Sequence, residues 1–218
     1  MKKMKVRVTL IDEMLGTAPA NPEVYRNYIA SKAPDAKSIE EEIAALGVDE
    51  LADSKMTIFL KDADGTPFML AHQFYGFFKA ACSALQRSKD PEMAEESMKL
   101  KAFKKIINDG IIIPQKKLPI DLHGCKIDIS ERPLRASTPQ GDRVALASSE
   151  RVPEGSTIDL TILCLNNDWT AAVKEWLDYG IFKGLLQWRN SGKGRFVWEL
   201  LEEGDISKEE ARKLLTNN

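Results

Sequence analysis

The residues best suited to chemistry lie between positions 179 and 196, where Gly180, Gly184, Gly192 and Gly194 alternate with Lys183, Arg189, Lys193 and Arg195. From Lys183 to Trp198 no acidic residue interrupts these cations. Glycine lacks a Cβ and takes positive φ, so its backbone N–H can approach an anion closely. Lys and Arg beside it supply charge and donors that fit phosphate oxygens. The run Ser191, Gly192, Lys193, Gly194, Arg195 therefore reads as a phosphate cradle of backbone amides and cations. The same residues would equally make a helix end and tight turn with solvated charges. Trp188, with Arg189 beside it, offers a flat face on which a base can stack. A tryptophan at this spacing also suits a core, which is the expectation for Trp169, Trp176 and Trp198.

His72 and His123 are the only histidines. Histidine exchanges protons near neutral pH, and Tyr75 stands one helical turn from His72. A helix cap or a solvated surface position is the competing expectation for His72. No zinc-ligand spacing surrounds either histidine, and Cys82, Cys125 and Cys164 form no Cys-x-x-Cys pair, so neither a metal nor another cofactor is expected. Arg132, Arg135, Arg143 and Arg151 fall on or between strands. On one face of a sheet they widen a basic groove, whereas cross-strand pairs with Asp128, Glu131, Asp142 and Glu150 would neutralise them.

The elements that must position these groups mix strands and helices. Residues 5–11 alternate with period two and are β-branched, a half-buried strand. Two short helices are expected at 23–30 and 38–46, the second behind a capping-box spacing from Ser38 to Glu41. A strand follows at 56–60, then an Asp64-Gly65 turn. Over 71–87 Phe74, Phe77, Phe78, Ala81 and Leu85 share one helical face. Residues 88–99 read as a loop and a solvated helix start, and 101–108 as helix ended by Gly110. Strands are expected at 111–113, 126–129 and 158–165, with turn chemistry at 137–142 and 153–155. A long last helix, capped by Asn167 or Asp168, is expected to run through Trp176 and Gly180 toward Leu185, with a strand-like segment at Phe196, Val197 and Trp198. Lacking a βαβ rhythm, this order favours an α+β fold on a largely antiparallel sheet.

The chain of 218 residues carries a net charge of −2 and 43% hydrophobic residues, so nucleic-acid binding must rest on local clustering of cations. The three scattered cysteines point to a reducing compartment. No leader or membrane span is recognised, and a cytoplasmic, soluble protein is expected.

Four landmarks, in order, resemble one family. They are the first strand ending at Leu15-Gly16; the passage from Asp64 through Leu70 into His72, Gly76 and Lys79; Arg132-Pro133-Leu134-Arg135 followed by Glu150 to Ser156; and the glycine-rich segment before Phe196. Together they are similar to the RAMP superfamily, the RNA-binding, ferredoxin-like proteins of CRISPR effector complexes, and most of all to the crRNA-coating backbone subunits. Leu185-Leu186-Gln187 departs from the family's pattern by replacing a second glycine, and Ala71, His72 and Gln73 replace serines of its strand-to-helix junction.

The resemblance implies a single ferredoxin-like (RRM-like) domain over 1–218, with an insertion around 13–55 and a charged helical segment around 88–109. It implies non-catalytic binding of RNA or a phosphate-bearing nucleotide by Trp188, Arg189, Ser191, Gly192, Lys193, Gly194 and Arg195, with Arg132 and Arg135 lining the groove. It further implies self-association, or membership or mimicry of a CRISPR-type or counter-defence complex. Two alternatives stand beside it. One is a metal-independent endoribonuclease, as in the family's crRNA-processing branch, using His72 with Tyr75; the other is an interaction module that binds no nucleic acid.

Overall fold

The structure, a computed structural model, describes residues 1–20, 56–138 and 141–216. The helices expected at 23–30 and 38–46, and most of the insertion around 13–55, lie outside the described residues.

In β1 (Lys2–Leu10) the period-two pattern is realised, with Met4, Val6, Val8 and Leu10 buried and Lys5, Arg7 and Thr9 on the other face. It pairs antiparallel with β11 (Thr157–Cys164) on one side and β12 (Phe196–Asp205) on the other. Beyond β11 come β8 (Lys117–Asp121), β6 (Pro67–Leu70) and β5 (Leu60–Lys61), with β7 (Ile111–Ile112) also against β11. Helix α1 (Ala71–Ser88) lies between β1 and β8 in sequence, and α4 (Trp169–Asp178) joins β11 to β12. The order β12-β1-β11-β8, antiparallel throughout, with α1 on the crossover from β1 to β8 and α4 on that from β11 to β12, is the ferredoxin-like arrangement. The fold is α+β.

Both helices bury their apolar stripes on the same core. Phe77 of α1 meets Phe196 of β12 at 5.2 Å and Phe78 meets Trp176 of α4 at 5.6 Å, while Phe74 and Phe77 each pack on Phe78 at 6.0 Å, all tilted. Each such side chain, fully buried, contributes about 1.5–3 kcal/mol. Helix α2 (Pro91–Lys99) occupies part of the stretch read as loop. Asp90 caps its first turn, accepting from the Glu92 amide at 3.0 Å. Glu175 of α4 binds it from across the core by accepting from the Glu96 and Ser97 amides. Helix α3 (Phe103–Gly110) ends at glycine because a Cβ there would enter the Trp169 ring.

A second sheet carries the remaining strands. β9 (Asp128–Thr138) and β10 (Gly141–Val152) form a long antiparallel hairpin, and the base of β10 pairs with β2 (Met14–Leu15) and β4 (Thr57–Ile58), the latter against β3 (Ala18–Pro19). Alternation is weak along 128–152, where Ser, Glu and Arg recur, so the sequence pattern shows the turn better than the strands. Three further expectations are corrected. The last long helix stops at Asp178, and a 3-10 turn (Tyr179–Ile181) carries Gly180. Asp168 holds the helix N-cap position as one of the two expected residues but makes no side-chain capping bond; the entry is organised by Asn166, whose Oδ1 accepts from the Asp168 amide at 3.1 Å. The segment at 196–198 is the start of the ten-residue β12, beyond which α5 (Lys208–Thr216) begins behind Ser207.

Candidate anion-binding site

The glycine-rich segment packs backbone against backbone. A Cβ on Gly184 would fall inside the main chain of residues 193–195, and one on Gly194 would lie 3.0 Å from the Leu185 amide nitrogen. Leu185 N–H donates to the Gly194 carbonyl at 2.9 Å, and Gly194 N–H donates to the Glu13 carbonyl at 2.8 Å. Lys193 and Gly192 donate their amides to the carbonyls of Trp188 and Arg189, at 3.3 and 3.4 Å, through the 3-10 turn Arg189–Ser191. The amides that would cradle a phosphate are therefore engaged within the loop. Its cations are engaged as well. Lys193 Nζ lies 2.5 Å from Glu13 Oε1, and Arg195 Nε 2.6 Å from Asp12 Oδ2. The hydrogen bond from Lys193, followed by that from Arg151, holds the Glu13 carboxyl below its ordinary range. Arg189 and Lys183 form no ion pair among the described residues.

Arg132, at the base of the hairpin, is the unusual charge of the molecule. Its side chain is 9% exposed and faces no carboxylate among the described residues. Nη1 donates to Ser149 Oγ at 3.2 Å and Nη2 to Gln187 Oε1 at 3.1 Å, while the buried Nε has no partner among the described residues. The guanidinium lies 4.1 Å from the centre of the Trp188 ring. Burial pulls its pKa down, yet an arginine stays protonated. A desolvated, unneutralised cation is costly, and cation–π attraction recovers only about 2 kcal/mol when desolvated. Such a charge is a strong attractor for an anion at the adjoining surface.

Gln187 fixes this arrangement. Besides accepting from Arg132, its amide donates to Thr57 Oγ1 at 3.0 Å and to the Gly16 carbonyl. Thr57 Oγ1 in turn donates to Ser149 Oγ at 2.8 Å. Both neighbours of Gln187 take left-handed backbone, Leu186 at φ 59° and Trp188 at φ 54°. Non-glycine residues pay about 1–2 kcal/mol each for this, and strain of this kind concentrates at functional sites. The backbone at Leu186 thus adopts a geometry natural to glycine. Trp188 is 38% exposed, with one face toward Arg132. Sequence reading missed Gln187, because nothing in Leu-Leu-Gln-Trp announces a left-handed bend on each side of the amide.

The other expected residues are dispersed. Arg135 lies farther along β9, in register with Val144, and its side chain is outside the described set. Ser191 is exposed on the loop, and its amide donates to the Trp188 carbonyl at 2.8 Å. Arg151 pairs with both Asp128 and Glu13, as the cross-strand alternative anticipates. His72 is exposed at the start of α1, away from this cluster in the chain, and Gln73 caps the helix by accepting from the Leu70 amide at 2.9 Å. The Tyr75 hydroxyl accepts from the Ile113 amide at 2.8 Å, and burial raises its pKa, which moves the phenol away from proton exchange at neutral pH. On the open face of the main sheet, Arg7 is held bidentately by Asp159, and Lys3 pairs with Glu202. Among the described residues no group of acidic, His or Cys side chains is arranged to hold a metal ion, and no helix is long and apolar enough to cross a membrane.

Fold and site together define an α+β protein of ferredoxin-like topology with a buried arginine beside an exposed tryptophan. No protein-family model matches the chain, and no curated protein matches it. Among solved structures it is similar to a chain of the cryo-EM structure of the Type III-B Cmr-beta bound to cognate target RNA, with a TM-score of 0.48 and 11% identity. That alignment covers 94% of this chain and 61% of the other.

Proposed function

We propose that this protein binds RNA, or a phosphate-bearing nucleotide, without cutting it, and that Arg132, Trp188 and Arg189 form the contact. The observation carrying this reading is Arg132: a buried guanidinium with no carboxylate among the described residues, spread on a partly exposed indole. A phosphate at the adjoining surface supplies the missing negative charge, and a base stacks on the free part of Trp188. Such stacking is worth about 1–3 kcal/mol per base. Arg189, half-buried and without an ion pair among the described residues, adds a further cation. Lys193 and Arg195 already hold Glu13 and Asp12, so they reach a ligand only by exchanging partners. The ribonuclease reading draws no support from Tyr75, whose hydroxyl is occupied by a backbone amide.

The test is anisotropy of a fluorescein-labelled single-stranded RNA against wild type, Trp188→Ala and Arg132→Met. Wild type should bind, with log affinity falling against log salt by about 0.7 per phosphate contacted. Trp188→Ala should weaken binding roughly tenfold or more. Binding insensitive to salt and to both substitutions would refute the proposal.

A further inference from the structure

Glu13 stands where an anionic ligand would be expected. Its two carboxylate oxygens are divided between cations from separate elements. Oε1 meets Lys193 Nζ at 2.5 Å from the loop before β12, and Oε2 accepts from Arg151 Nη1 at 2.8 Å at the end of β10. These groups line an open cleft of about 510 Å³, together with Lys126, which is exposed and unpaired among the described residues. Asp12, Asp128 and Glu154 also line it, with Arg195 held by Asp12 and the second arm of Arg151 by Asp128. Counting Glu13, four acids line the cleft with the three cations Lys126, Arg151 and Lys193, and Arg195, held by Asp12, brings the group to neutrality.

The backbone around Glu13 is pinned while its side chain is not. Glu13's carbonyl accepts from Gly194 N–H at 2.8 Å, and the Ile11 and Asp12 amides donate to the Arg195 carbonyl at 2.9 and 3.4 Å. No described hydrogen bond other than those from Lys193 and Arg151 restrains the carboxylate. Rotation about its side-chain torsions would free Lys193 and one arm of Arg151, whose other arm stays with Asp128, and would leave these main-chain contacts in place. The lining would then hold three cations, Lys193, Arg151 and Lys126, against Asp12, Asp128 and Glu154, and the balance of charge would no longer include Glu13. A carboxylate has two oxygens for such donors, whereas a terminal phosphate monoester has three and greater charge; an internal diester matches the carboxylate in both and would displace it through the contacts that the rest of the RNA makes.

We infer that Glu13 is a built-in anion that fills a phosphate subsite formed by Lys193, Arg151 and Lys126, and that a ligand phosphate displaces its side chain. This rests on the reading of the protein as a binder of phosphate-bearing ligands, and it adds a self-competing carboxylate that sets the affinity. The ligand group is a phosphate, either a terminal monoester or an internal diester of RNA.

The experiment titrates wild type, Glu13→Gln and Glu13→Gln/Lys193→Met with inorganic phosphate by calorimetry. In parallel, the same proteins bind labelled RNA carrying a 5′-phosphate or a 5′-hydroxyl. Removing the competing charge should raise phosphate affinity by about tenfold or more, a change worth about 1.4 kcal/mol, and adding Lys193→Met should abolish the gain. A gain confined to 5′-phosphorylated RNA identifies a monoester, and a gain with both RNAs identifies a diester. Glu13→Ala, which also removes the carboxylate, should show the same direction and serves if Glu13→Gln does not fold. Unchanged or weaker phosphate binding in the Glu13 variants overturns the inference, as does a gain that survives Lys193→Met. Wild-type RNA binding sensitive to Arg132→Met, combined with indifference to Glu13, removes this subsite alone. Tighter phosphate binding by Glu13→Gln without RNA binding in any variant removes the RNA reading and leaves the subsite.

Discussion

Replacing Gly184 with alanine separates a packed loop from a merely flexible one. The added Cβ would be placed inside the backbone of residues 193–195, and backbone cannot swing aside as a side chain can. Overpacking a tight site costs about 1–3 kcal/mol and more where relaxation is blocked, so a loss of roughly 3 kcal/mol is expected. Gly192 provides the contrast. It sits at φ 86°, but the nearest atom to a Cβ there is the Arg195 side chain at 3.6 Å, so Gly192→Ala pays only the left-handed penalty of about 1–2 kcal/mol. Gly194 combines both faults, with φ 70° and the Leu185 backbone close by. For a chain of this size about 2–4 °C of Tm is lost per kcal/mol, which places Gly184→Ala roughly 6–12 °C below wild type. Urea unfolding followed by circular dichroism reads the order: Gly194→Ala at least as damaging as Gly184→Ala, and both worse than Gly192→Ala. Because Gly184 and Gly194 meet each other, the double variant should cost less than the sum of the singles. If Gly184→Ala were as stable as Gly192→Ala, the interlocked loop would be refuted.

Other outcomes follow from single contacts. Arg132→Met should leave stability within about 1 kcal/mol of wild type or raise it, because a buried unneutralised charge gives way to an apolar chain, and chemical denaturation checks this. Lys89 closes α1 at φ 55°, ψ 22°, a left-handed cap that glycine fills without a Cβ penalty, so Lys89→Gly should stabilise by about 1 kcal/mol in the same assay. Glu13, Asp128 and Asp159 are held below their ordinary carboxylate values by hydrogen bonds from Lys193, Arg151 and Arg7 respectively. Their folded pKa values are depressed, so as pH falls the unfolded chain takes up protons first. The stability they give is full above the ordinary carboxylate values and is lost as pH drops through the folded ones. Tm should therefore be level above about pH 5 and fall below about pH 4, less steeply in Glu13→Gln.

The sequence made the main sheet and its helices legible where one face is buried. β1 alternates cleanly, α1 carries its phenylalanines at helical spacing, and Gly110 marks a helix end. The hairpin of β9 and β10 was partly visible through its turn, since its strands lack an apolar face to set a period. The span of 179–196 was read correctly as rich in glycine and cations, yet its purpose depends on partners far away in sequence. Glu13 and Asp12 neutralise Lys193 and Arg195, and the Glu13 carbonyl accepts from the Gly194 amide. No local pattern encodes those distances. The sequence offers Arg132 as one of four strand arginines and, through the family resemblance, as a groove-lining residue with Arg135; that it has no carboxylate partner among the described residues, while Arg151 has two, depends on which strand faces which. Gln187 was invisible because its importance comes from φ angles on either side, where leucine and tryptophan occupy conformations that composition assigns to glycine.

RNA binding is tested most directly by the affinity of a labelled single-stranded RNA for wild type and Arg132→Met, measured from about 50 to 200 mM salt. Binding that weakens steadily with salt, and that is lost in a stably folded Arg132→Met, is the predicted result. Equal binding by the two proteins, or none by wild type at the lowest salt, would contradict it.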